Sequence, residues 1–98
     1  MTDERIYEGD VGVRFLVSTG IDLTTTTVTQ LKVTKGDLST ATWNASVNID
    51  DNTVMEYISV DGDLDVSGKY KLYAYVEFTT DSKHSGRVAT FTVYDVFK

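Results

Sequence analysis

The sequence predicts an all-β domain, an immunoglobulin-like antiparallel β-sandwich of about seven strands, and three observations carry that expectation. Short segments of alternating apolar and polar residues recur about every ten positions, separated by Gly, Asp, Asn and Thr clusters. No segment shows the 3.6-residue apolar spacing of an amphipathic helix. The third is the run from Val60 to Val76: an acidic turn, a Ser67-Gly68 step, then a long alternating strand that opens on Tyr70. In immunoglobulin-type sandwiches a tyrosine near the start of strand F bonds back to the backbone of the preceding corner.

Taken in chain order, the elements are as follows. Residues 1–5 are expected to fray, and Ile6-Tyr7-Glu8 to form a short edge strand. Val11, Val13, Phe15 and Val17 alternate with Gly12, Arg14 and Leu16, which describes a half-buried strand ended by Ser18-Thr19-Gly20. Thr24 to Thr27 lead into Val28–Lys35, with Leu31 and Val33 inward, and Gly36-Asp37 reads as a turn. Ala41, Trp43, Ala45 and Val47 share one face before the reversal at Ile49-Asp50-Asp51-Asn52. In Thr53–Ser59 either Met55 and Tyr57 or Val54 and Ile58 face the core. The first pair is preferred because it leaves Glu56 outward, at the cost of exposing Val54 and Ile58. Tyr70, Leu72, Ala74, Val76 and Phe78 form one face of the longest strand, and Lys69, Lys71, Tyr73, Tyr75 and Glu77 the other. Asp81 to Gly86 reads as a polar hairpin loop, and Val88–Val96 as the last strand, with Ala89, Phe91 and Val93 inward.

A chain of 98 residues suits one domain spanning 1–98, and its 41% apolar content, with one Trp, six Tyr and four Phe, suffices for one core. The absence of proline suits strands whose amides enter ladders. With no cysteine, stability must come from packing, and synthesis in a reducing cytoplasm is the expectation. The formal charge is −6 and the nine basic residues are scattered, so neither nucleic acid nor an anionic membrane is an expected partner. No apolar run approaches the ~20 residues of a membrane span, and Met1-Thr2-Asp3-Glu4-Arg5 lacks the character of a signal peptide.

Chemistry-bearing motifs are few. Asp61-Gly62-Asp63-Leu64-Asp65 spaces carboxylates as a calcium loop does, but the twelfth position from Asp61 is Leu72, where a bidentate glutamate is needed. Acidic residues in a solvated turn are the simpler reading, even with Asp50 and Asp51 added, and no metal or cofactor is assigned. His84 is the sole histidine, amid Asp81, Ser82, Lys83 and Ser85. One loop does not supply a held base, a buried orienter and an oxyanion hole, so no catalytic residue is assigned and the chain reads as a non-enzyme. Asn44-Ala45-Ser46 is a formal glycosylation acceptor, incidental without secretion, and Trp43 reads as a core plug.

The outward tyrosines are the strongest functional lead. With Tyr70 inward, period-two alternation sends Tyr73 and Tyr75 to the opposite face. Tyr94 and Val96 share that face on the pairing strand, with Val88 a further candidate. Tyrosine is enriched at protein interfaces, so Tyr73, Tyr75 and Tyr94 are the interface candidates, against the alternative that they only stabilise the sheet as cross-strand pairs.

These same segments resemble a known group. Gly62-Asp63-Leu64-Asp65, Gly68-Lys69-Tyr70-Lys71-Leu72 and Ala74-Tyr75-Val76, followed by a polar loop and Phe91-Thr92-Val93, are similar to small β-sandwich domains of tailed-bacteriophage virion proteins. Asp10 to Phe15 resembles their opening strand, and Gly20-Ile21-Asp22-Leu23-Thr24 the turn before their second. The likeness spans about Tyr7 to Val93 and departs at Lys35-Gly36-Asp37, where many such domains carry Pro-Asp-Gly. It implies a virion structural protein made in the host bacterial cytoplasm, of tail, neck, baseplate or capsid-decoration type. Such a part contacts other virion proteins and suits a homo-oligomer, because symmetric particles reuse one part. The competing class is a carbohydrate- or host-receptor-binding module, with Trp43 or the tyrosines stacking on sugar rings.

Overall fold

The structure, a computed structural model, describes residues 5–95. Its strands are β1 (Ile6–Tyr7), β2 (Arg14–Ser18), β3 (Thr26–Thr34), β4 (Thr40–Asn44), β5 (Ser46–Val47), β6 (Val54–Ile58), β7 (Gly68–Phe78), β8 (Lys83–Ser85) and β9 (Ala89–Tyr94). They build two sheets: a larger one in the order β1-β9-β7-β3-β4, with β8 beside β7, and a smaller one in the order β2-β6-β5. β1 runs parallel to β9 and every other pairing is antiparallel. The fold is all-β, an immunoglobulin-like sandwich: the strands pairing as G, F and C lie in one sheet, those in the B, E and D positions in the other.

Alternation decides which side chains enter the space between the sheets. Leu31 and Val33 of β3, Trp43 of β4, Met55 of β6, Tyr70, Leu72, Ala74 and Val76 of β7 and Val93 of β9 are buried, as the periodicity predicts. Met55 rather than Val54 heads the inward set of β6, with Tyr57 packed beside it and Ile58 left exposed. Two further buried residues, Leu23 and Leu64, come from connections between strands. Tilted ring pairs Phe15–Trp43 and Phe15–Phe91, at 5.3 and 5.1 Å, join the two sheets, and Tyr70–Phe91, at 5.1 Å, packs neighbouring strands of the larger one together.

Nine segments replace the seven expected for two local reasons. The strand bearing Trp43 changes sheets at Ala45, where the Ala45 amide and carbonyl both bond Thr29 before the chain enters β5. The segment expected as a polar loop from Asp81 to Gly86 is mostly ladder: Asp81 takes a left-handed conformation, and Lys83–Ser85 pairs with Tyr75–Glu77. The last strand begins at Ala89, which is exposed rather than inward because it borders an open cleft beside β2. Val11, too, is exposed instead of joining Val13, Phe15 and Val17. The expected fraying of residues 1–5 falls outside the described residues except at Arg5, whose guanidinium lies 5.2 Å from the Tyr94 ring centroid.

The corner before β7 is tied both to that strand and to the end of β3. The Tyr70 hydroxyl donates to the Val66 carbonyl at 2.7 Å from a fully buried ring. Lys35, after β3, donates to the Gly62 carbonyl and to Asp65 at 3.1 and 2.8 Å. Tyr70→Phe leaves that carbonyl without its donor and is expected to cost about 1 kcal/mol. A urea melt reads the change, and an unchanged midpoint would remove the corner bond from the stability account.

Candidate functional site

The outward face of the larger sheet is where polar and aromatic side chains gather without being needed by the core. Register sets its composition: Tyr73 lies opposite Lys32, and Tyr75 opposite Gln30, while Lys32 and Gln30 face Thr42 and Asn44 on the other side. Lys32 Nζ sits 5.2 Å from the Tyr75 ring centroid, a cation–π contact, and the Tyr75 hydroxyl donates to Glu77 at 2.7 Å. That hydrogen bond, with a smaller contribution from burial, raises the Tyr75 phenol above its ordinary pKa. Both tyrosines are partly exposed, and Tyr75 is held in place by these contacts; ordered side chains lose less freedom on binding a partner.

Tyr73 also borders a shallow depression of ≈ 370 Å³ lined with Lys32, Thr34, Thr40 and Thr42. Lys69 and Lys71 continue the face along β7, whose one carboxylate is Glu77. Carboxylates elsewhere concentrate in turns: Asp37 after β3, Asp50 and Asp51 before β6, Asp61, Asp63 and Asp65 before β7. The chain is acidic as a whole, but this face is locally basic.

Of the three interface candidates the structure brings two together. Tyr94 shares the outward face, but Gly68 pairs with Val93, so Tyr94 lies level with the start of β7. It is on the order of 20 Å from Tyr73 at ~3.4 Å per residue. There it packs on Tyr7 at 6.1 Å and under Arg5. Val88 precedes β9 and borders a different cleft, beside β2, and Val96 lies outside the described residues. Lys32, Gln30 and Thr42 were missed as partners of the tyrosines. Their alternation marks them outward, but which strand lies beside them is a long-range property.

The remaining motifs resolve into structure. Trp43 is 3% exposed and stacks on Tyr57 at 4.8 Å, so it cannot meet a sugar ring. In the acidic turn, Asp63 accepts hydrogen bonds from the Tyr57 hydroxyl and the Val60 amide, and Asp65 pairs with Lys35. Among the described residues no group of three or more His, Asp or Glu side chains is arranged to hold a metal. His84 lies on β8, edge-on to Phe78 at 5.6 Å. Asn44 of the formal acceptor motif takes a hydrogen bond from Gln30.

Burial, then the bond to Asp63, holds the Tyr57 phenol well above its ordinary value of 10.0, and burial raises Tyr70 in the same direction. The unfolded chain loses these protons near pH 10 while the folded chain keeps them, so stability is full below that pH and falls as pH climbs above it. Urea midpoints are expected to hold between about pH 7 and 9 and to drop above about 10, with a shallower drop in Tyr57→Phe. An equal slope in the variant would contradict the assignment.

The fold and the outward face define an immunoglobulin-like β-sandwich with a tyrosine–lysine surface. Compared with family models, curated proteins and solved structures, the chain has no significant match in any of the three.

Proposed function

We propose that this protein is a non-enzymatic structural component of a tailed-phage particle, in the tail, neck, baseplate or capsid decoration, that works through protein–protein contacts. The observation that carries the contact reading is the grouping of Tyr73, Lys32 and Tyr75 on the open face of the larger sheet, with Lys32 over the Tyr75 ring. Its chemistry suits an acidic protein surface, because Lys32, Lys69 and Lys71 outnumber the single carboxylate of β7, Glu77. The phage assignment rests on the similarity of the Gly62–Val76 segment and its flanking strands to virion sandwich domains.

A carbohydrate-binding alternative keeps only the tyrosines as stacking platforms, since Trp43 is enclosed. Sequencing the DNA that flanks this reading frame tests the phage reading. Neighbours encoding major capsid, tail-tube or baseplate proteins are expected, and a neighbourhood with none of them would contradict it.

A further inference from the structure

We infer that the free edge of β2 pairs with β2 of a second copy of this chain, joining two small sheets across a two-fold axis. The hydrogen-bond phase of β2 is set by two bonds at its ends: Thr19 N–H donates to Thr53, and Ser59 N–H to Val13. With the register Phe15↔Tyr57 and Val17↔Met55, the odd residues bond β6, and the amides and carbonyls of Arg14, Leu16 and Ser18 point away from it. Among the described residues nothing pairs with that outer side: β2 has β6 as its one neighbour, and β1 lies on β9 instead. Unpaired edges of this kind are templates for another strand.

The side chains single out this edge over the others. β4 also ends its sheet, but its outward residues are Thr40, Thr42 and Asn44, polar throughout. β5 is two residues long. β2 instead presents Leu16, 54% exposed, with Ile58, 53% exposed, diagonally across β6. Beside β2 lies a cleft of ≈ 630 Å³ bordered by Leu16, Val17, Ala74, Val88 and Ala89.

The edge is complementary to itself in charge, which selects a second copy as its occupant. Arg14, the one charge on β2, is neutralised within its own chain by Glu56 at 2.7 Å. In an antiparallel pair centred on Leu16, each Arg14 lies opposite Ser18 of the second copy, so no like charges meet. Leu16 meets Leu16, extending the apolar row from one Ile58 to the other, and the outward amides and carbonyls of Arg14, Leu16 and Ser18 all find partners. Isologous pairing of this kind closes at two copies and builds no fibre. It goes beyond the contact face of the larger sheet and uses none of its residues, so the two readings fail separately.

Sedimentation equilibrium from micromolar to millimolar protein, with amide hydrogen exchange at the same concentrations, tests it. The wild-type chain is expected to dimerise, with the Leu16 and Ser18 amides slowing in exchange as dimer forms. Leu16→Lys places like charges opposite one another and is expected to weaken the dimer at least about tenfold while the circular dichroism spectrum stays native. Should that variant misfold, Ser18→Pro removes an outward donor that the monomer does not use, with the same expected loss. A chain monomeric at millimolar concentration, a dimer indifferent to these substitutions, or a dimer whose Leu16 and Ser18 amides exchange freely would each overturn the inference.

Discussion

Gly36→Ala is expected to lower the melting temperature by about 15 °C, from a loss of about 3 kcal/mol. A Cβ at this position would lie 2.3 Å from the Ser67 carbonyl oxygen and 2.8 Å from the Gly68 Cα, and both obstacles are backbone. Gly68 is itself in a left-handed conformation, φ +123°, at the start of β7. The methyl group therefore forces apart the turn after β3 and the corner that holds Tyr70, loosening the Lys35 bonds to Gly62 and Asp65 as well. Leu38→Ala, two residues on at a side chain 81% exposed, serves as the control and should leave the melt almost unchanged. Thermal melts of the two variants check the pair. A small effect for Gly36→Ala would mean that the turn and the corner do not touch as described.

Trp43→Ala is expected to cost about 4 kcal/mol, a large share of the roughly 5–15 kcal/mol that stabilises a typical domain. The indole, on the larger sheet, touches two rings of the smaller one, Phe15 at 5.3 Å and Tyr57 at 4.8 Å, so its removal opens a cavity between the sheets. Trp43→Phe should cost far less. The Trp43 Nε1–H is buried with no hydrogen-bond partner among the described residues, and phenylalanine removes that unsatisfied donor while filling most of the space. Denaturant melts separate the two variants. Native fluorescence should be blue-shifted and unmoved by added glycans. Red-shifted emission quenched by sugars would instead restore Trp43 as a binding residue.

Much of the fold was legible because burial in a two-layer sandwich follows a period of two. The inward sets of β3 and β7 follow from alternation, and the preference for Met55 over Val54 from keeping Glu56 outward. Leu23 and Leu64 were not legible as core, since each lies in a turn among polar residues with no alternation to mark it. Nor was β8, whose sequence Lys83-His84-Ser85 reads as loop and is a strand only through its pairing with β7. The site divides the same way. Alternation placed Tyr73, Tyr75 and Tyr94 on one face, but their spacing along it depends on how far β9 slides against β7. That register separates Tyr94 from the other two. The open edge of β2 depends on β1 choosing β9 over β2, a long-range choice that alternation within either strand does not encode.

The most direct test of the account is the occupancy of the Tyr73→Ser, Tyr75→Ser double variant in assembled particles, measured by quantitative mass spectrometry after purification. Both rings lie outside the core, so the isolated variant should keep the wild-type fold and melt within a few degrees of it. Loss of the variant from particles alongside that retained fold is the predicted result. Wild-type occupancy by the double variant would contradict the claim that this face makes the contact.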